Sequence, residues 1–289
     1  MGLAMAAVLA PVAGVALASA IDDVRECQDD LTLTVDAAPE IAPVLDEYAQ
    51  EWSPSPVEGS CVTVEVAAVD SASTAAAYAK AHDIDFDVGD AETASVELPD
   101  VWVAESPVWI ARLGGDVEGM FSERIDSVAE SAVGLAVPAD SESGEEDPGD
   151  VLNLADTDIA PVDPHADAAI LTLMMGPEAD PEAVFTPTFD DDGAVPMSAA
   201  AVAAHNMQNP EEPLRFLGPQ PPPEPFTYPY LMTDGIDSDT AAAANEFRSS
   251  LLSSEFTGGL GEYDLSPAGP YPDIPDVETV DAALAAWKP

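Results

Sequence analysis

Apolar and polar residues alternate over LTLTVDA (31–37), where Leu31, Leu33 and Val35 share one side. A period of two marks a half-buried strand. The period then changes. In PEIAPVLDEYAQEW (39–52), Ile41, Val44, Leu45, Tyr48 and Trp52 recur at helical spacing on one face, and Pro43 suits a first helical turn. CVTVEVAAV (61–69) alternates again. SASTAAAYAKA (71–81) reads as a helix with Ser71 or Ser73 as its N-cap. VWVA (101–104) and PVWIARL (107–113) repeat the pair, with Glu105 and Ser106 at the polar break between them. Strand and helix in turn, three times over, predict an α/β domain with a parallel sheet.

Further along, VGLAVP (133–138) reads as a strand and ADSESGEEDPGD (139–150) as a solvated loop. HADAAILTLMM (165–175) is a helix apolar nearly all round, with Met174 and Met175 as core. FDDDG (189–193) lacks the ligand spacing of a calcium loop and reads as a turn. SAAAVAAHNM (198–207) is another helix. Residues 209–229 hold eight prolines, which exclude helix and central strand. The run reads as a crossing between two lobes; a polyproline ligand for a partner is the alternative. YPYLM (228–232) is a strand, DTAAAANEFRSSLLSSEF (239–256) a helix capped by Asp239 or Ser238, and VETVDAALAAWKP a helix that Pro289 stops.

Charge changes the picture. The chain has 289 residues, 7 basic and 56 acidic, for a formal charge of -49, yet is 47% hydrophobic. It can bury a core and is no disordered acidic tail. Nucleic acid is excluded as a partner, because phosphate binding needs a basic footprint. An anionic membrane surface would repel it. The carboxylates are spread along the chain, which favours hydration, with a salty habitat as context, over dedicated cation capture. Residues 1–20 carry no charge and end in Ala18-Ser19-Ala20, so they read as an export signal or an N-terminal membrane anchor, although no basic residue opens them. In an exported chain, Cys27 and Cys61 read as a disulfide, worth ~3–4 kcal/mol in the chain-entropy account. Two buried thiols or a metal pair are the alternatives.

Three stretches together resemble the type II periplasmic, or extracellular solute-binding, proteins. They are DLTLTVDAAPEIAPVLDEYAQEW (30–52), LPDVWVAESPVW with SAVGLAVP after it, and YPYLMTDGIDSDTAAAANEFRSSLLSSEFTGGLGEYDLSPAG (228–269). The motifs look most like an actinobacterial subgroup in which this module precedes a von Willebrand factor A domain and carries an early cysteine pair. That subgroup's central motif has two serines where Ser106 and Pro107 stand, and paired serines where Glu130 and Ser131 stand. The D-x-S-x-S metal site of a von Willebrand module is absent: Asp70-Ser71-Ala72-Ser73 and Asp140-Ser141-Glu142-Ser143 have the wrong spacing.

The resemblance implies a two-lobed fold, each lobe a mostly parallel sheet flanked by helices, with the ligand cleft between. Residues 27–130 with 226–289 would form lobe 1, and 131–225 lobe 2. It implies ligand contacts from Asp36, Ala37, Ala38, Glu105, Ser106, Ser131, Asp163, His165 and Tyr228. Fewer hydroxyls and an added Glu130 weaken the case for an anion and raise that for a cation, a polyol or a peptide. The partners implied are a small solute and either a membrane transporter or an adjacent von Willebrand domain. No cofactor or metal is expected. G-x-S-x-G and H-E-x-x-H are absent, and His82, His165 and His205 stand apart, so an enzyme is not expected. An extracellular interaction or sensory domain that keeps the fold without transport is the alternative.

Overall fold

A computed structural model of the chain describes residues 29–89, 97–114, 119–122, 124–140, 157–176, 188–189 and 193–288. Residues 1–20 and Cys27, read above as a leader and half of a disulfide, lie outside the described residues, as do 141–150 of the acidic loop and 190–192 of FDDDG. Cys61 is not a free thiol. Among the described residues, no helix is long and apolar enough to cross a membrane.

The first half alternates as its periods predict, in β1 (Asp29–Ala37), α1 (Ala42–Trp52), β3 (Ser60–Ala68), α2 (Ser71–Ala81), β4 (Val101–Val103) and α3 (Val108–Arg112), and SPSPVEGS (53–60), which reads as a loop, adds a short strand, β2 (Ser55–Val57). Strand β1 pairs parallel with β3 and β4. Leu33, Val35 and Ala37 are buried on one face, packed in the core with Leu45 of α1. Tyr78 of α2 stacks on Trp102 at 5.7 Å, and both meet Phe121. Trp102 and Trp109 are both fully buried.

Strand β5 (Asp126–Ser131) also joins this sheet, and only Ala132 separates it from β6 (Val133–Pro138) in a second sheet. The chain continues through β7 (Asp158–Ile159), α4 (Ala168–Met175), β8 (Thr188–Phe189), β9 (Val195–Ser198), α5 (Ala199–Gln208) and β10 (Leu214–Leu217). It returns to the first sheet as β11 (Phe226–Met232), then ends in α6 (Ser238–Leu251), α7 (Ser254–Gly259), a 3-10 turn (Leu260–Tyr263) and α8 (Val277–Ala286). The large sheet has the order β2-β3-β1-β4-β11-β5 and the small one β10-β6-β9. Two passes, at Ala132 and over 218–225, link the two lobes built on these sheets.

Several sequence expectations change. The small sheet is antiparallel, not parallel. Strand β6 enters directly from β5, and β9 and β10 flank it in the opposite direction, joined to each other through α5. The proline-rich run contains β10, because Pro213 and Gly218 bracket LRFL and leave its N–H groups free to pair. Pro229 lies within β11, at the point where the β5–β11 register shifts and before pairing with β4 begins at Tyr230. Helix α2 is capped by Asp70, whose Oδ1 accepts from Ala72 N at 2.9 Å, rather than by Ser71 or Ser73. Asp237 caps α6, and the predicted 239–256 helix breaks at Leu252, where Ser253 starts α7. All eight residues of α4 are buried, Met174 and Met175 among them.

Gly134 in β6 is required by close approach. A Cβ there would lie 2.4 Å from the Leu217 carbonyl oxygen of β10 and 2.8 Å from the Phe216 ring. Gly134→Ala is expected to cost about 1–3 kcal/mol through overpacking. A lower urea midpoint at unchanged slope would register it.

Candidate functional site

Open α/β sheets bind ligands beyond the carboxyl ends of their strands. Strands β3, β1 and β4 lie side by side, so the three turns that follow them share one edge. The turn after β1 carries Glu40, that after β3 carries Asp70 and Ser71, and that after β4 carries Glu105 and Ser106. Asp167 and Ser198, the N-caps of α4 and α5, come from the second lobe. Tyr228 reaches the same place from β11, its hydroxyl donating to Glu40 Oε1 at 3.2 Å.

These groups form an acidic cluster. Glu40 is buried, and burial pushes its carboxyl up to about 7; its own backbone hydrogen bond and that of Tyr228 oppose this, while Asp70 and Asp167 add to it. Glu105 stands well above the usual carboxyl range, first through burial, then through the charges of Glu40, Asp167 and Asp70, against the indole N–H of Trp109, which donates to its Oε1 at 2.9 Å. Burial raises Asp167 to about 6 although the backbone N–H groups of Ile170 and Ala169 favour its charged form. Tyr228 is raised well above its ordinary value by burial and by Glu40 and Glu105. Among the described residues, the main charges acting on Glu40, Glu105 and Asp167 are carboxylates. Arg124 and Arg248 pair instead with Asp126. The cluster thus holds several acids that disfavour one another's ionisation.

Four helix N-termini facing the cleft are occupied by side chains, whereas α1 starts at Ile41 without one. Asp70 takes α2, Asp167 accepts from Ile170 N on α4, and Ser106 Oγ accepts from Val108 N on α3. On α5, Ser198 Oγ accepts from Ala201 N and Ser131 Oγ from Ala200 N. An anion would find these donors used and carboxylates in front of them. Among the described residues, no three His, Cys, Asp or Glu side chains converge as metal ligands would. Beside Ser106 a cavity of about 270 Å³ is walled by Ser106 and Val108 of one lobe, Thr172 and Met175 of the other, and by Glu224 and Asp273.

Of the residues expected at the ligand, Glu105, Ser106 and Tyr228 come together here. Ala37 and Ala38 are fully buried and build the turn: Ala37 O accepts from Val69 N, Ala38 N donates to Val103 O, and Ala38 O accepts from Ile41 N and Ala42 N. They offer no free donor. Asp36 faces away from the cluster, on the α2 side near Tyr78; burial raises it to about 6 against the Thr74 hydroxyl. Ser131 is 2% exposed and spent on capping α5, so it ties the passage between sheets to the second lobe. Asp163 and His165 pair with each other, Oδ1 to Nδ1 at 2.8 Å, in the turn before α4 and apart from the acids. Glu40, Asp70, Asp167 and Ser198 escaped the sequence reading. Asp70, Asp167 and Ser198 are helix N-caps and Glu40 directly precedes that of α1, so the available signal was an acidic or hydroxyl residue near the start of each helix.

A family model described as bacterial extracellular solute-binding protein matches residues 33–263. No curated protein sequence matches the chain. Among solved structures, the fold is similar to a sulfate-binding protein from Mycobacterium tuberculosis, at 15% identity over 90% of this chain and 92% of that one, with a TM-score of 0.53. It is also similar to a periplasmic binding protein from Actinobacillus pleuropneumoniae with fructose-6-phosphate bound, at 12% identity over 88% and 94% of the two chains and a TM-score of 0.55. A periplasmic thiamin-binding protein is similar at 11% identity over 84% and 86%, with a TM-score of 0.52. At such identities the likeness is one of fold.

Proposed function

The chain belongs to the bacterial extracellular solute-binding proteins, and from that premise we propose that its cleft captures a small organic cation by closure of two lobes. The observation that carries this is the cluster of Glu40, Glu105, Asp167 and Asp70, whose main mutual charges are carboxylates with no balancing cation among the described residues. A positively charged solute would supply the missing partner. The spread of the acids suits an ammonium, guanidinium or heteroaromatic cation better than a bare metal ion, and the cavity beside Ser106 offers room for its organic part. The fold is not tied to anions: one similar protein is named for sulfate and another for thiamin, which carries a positive charge.

Residues 27–130 with 226–289 act as lobe 1 and 131–225 as lobe 2, with hinges at the two passes. Closure is a population shift between open and closed forms, not chemistry. A membrane transporter receives the solute, and residues 1–20 export or anchor the protein. A kinship with modules that precede von Willebrand domains is proposed on the central motif at 102–109, on Glu130-Ser131 and on the early cysteine pair, Cys27 and Cys61.

Thermal melting at pH 8 tests the ligand class, with choline, thiamin, arginine and spermidine set against sulfate, phosphate and molybdate. Binding to the native state stabilises it by about 2.7 kcal/mol at a hundred times the dissociation constant. A cation should raise the midpoint, and Glu105→Gln should abolish most of the rise. A shift with an oxyanion alone would reject the cation reading, and no shift with any probe would favour an interaction domain.

A further inference from the structure

Arg112 ends α3 and sits at the seam between the lobes. Its guanidinium lies between two rings, 4.5 Å from the centroid of Phe86 and 5.0 Å from that of Trp109. Nη1 donates to the carbonyl of His165, 2.5 Å away, in the turn before α4 of the second lobe. Nη2 donates to the carbonyl of Asp87 in the first. The carboxylates of Asp87, Asp163 and, from α8, Asp281 surround it. Helix α8 itself packs on both α3 and α4. The 163–165 turn is preformed to meet the guanidinium, because Asp163 Oδ1 takes both the backbone N–H and Nδ1 of His165. The two lobes also touch at Gly89, where an added Cβ would lie 2.0 Å from Asp163 Oδ2.

One ring links this seam to the cleft. Trp109 supports the guanidinium with its face and donates its indole N–H to Glu105 Oε1. We infer that Arg112 is the clasp of the closed form: a positioning residue that sets how long a solute is held without touching it. The inference rests on the two-lobe reading above but not on the solute's charge. A planar fork is suited to the task, since it reaches two carbonyls at once while stacked on aromatic faces, which an ammonium cannot do.

The test is the distance between nitroxide labels on Glu51→Cys and Glu211→Cys, exposed positions in the two lobes, measured by pulsed electron resonance without solute. The parent should show a short distance alongside a longer one. Arg112→Ala should raise the longer-distance population several-fold, and Arg112→Lys should fall between the two. Gly89→Ala, which wedges the same seam against Asp163, should open the lobes independently. Circular dichroism checks that each variant is folded. An unchanged distribution in both Arg112→Ala and Gly89→Ala overturns the clasp. Opening in those variants, with a melt shifted by an oxyanion alone, supports the clasp while rejecting the cation reading. Where choline or thiamin binds, Arg112→Ala should speed its dissociation about tenfold.

Discussion

Glu40→Gln should make the solute-free protein more stable at pH 8, by on the order of 3 kcal/mol if the shift in its carboxyl is relieved. The Glu40 carboxyl is raised by burial from 4.5 to about 7. Between those values the folded state keeps a proton that the unfolded chain has released. Wild-type stability therefore falls as pH rises through that window, and the cost is complete above about 7. Glutamine has no proton to lose and still offers an oxygen to the Tyr228 hydroxyl. Its advantage should shrink as pH falls through the window and vanish below about 4.5. Urea melts at pH 8 and pH 4.5 measure this directly. A variant less stable than wild type at pH 8 would mean that the carboxylate already has a partner in the protein.

Glu105→Gln should weaken binding of an organic cation by roughly 10- to 100-fold, the worth of a hydrogen bond to a charged group. The solvent-poor cleft strengthens the attraction that is lost, and Asp167 and Glu40 remain to hold part of it. The amide can still accept the indole N–H of Trp109, so the side chain keeps its place. Affinity should thus fall while stability without solute holds or rises at pH 8. Opposite signs for the two quantities are what a site strained in its empty state requires. Calorimetric titration of whichever cation shifts the melt, with wild type and variant side by side, reads the ratio. An affinity unchanged within twofold would remove Glu105 from the site.

Strands β1 and β3 were legible because they are half-buried, and α1 because it is amphipathic. Strand β5 was not: five of the six residues of DSVAES are buried, so no alternation marks it. Strand β10 hid among prolines that flank it rather than interrupt it. Asp36 carries the phase of a solvent-facing residue, yet α2 covers that face, and only packing reveals it. At the site, Glu105 and Ser106 stood out between two tryptophans. Glu40, Asp70 and Asp167 each look like an ordinary acid at a helix start, where carboxylates are favoured on any surface. What makes them a site is strand order: β3, β1 and β4 are adjacent only in the folded sheet, and the second lobe adds Asp167 from beyond the crossing. The spread of charge along the chain gave no hint of that convergence.

Proton exchange on binding reports the sign of the solute's charge. Calorimetric titration at pH 7, near the raised value of Glu40, should be run in two buffers of different ionisation enthalpy. A bound cation lowers the raised carboxyls, so protons should be released to the buffer. Proton uptake would mean that the cleft neutralises itself to admit an anion, and would contradict the cation reading.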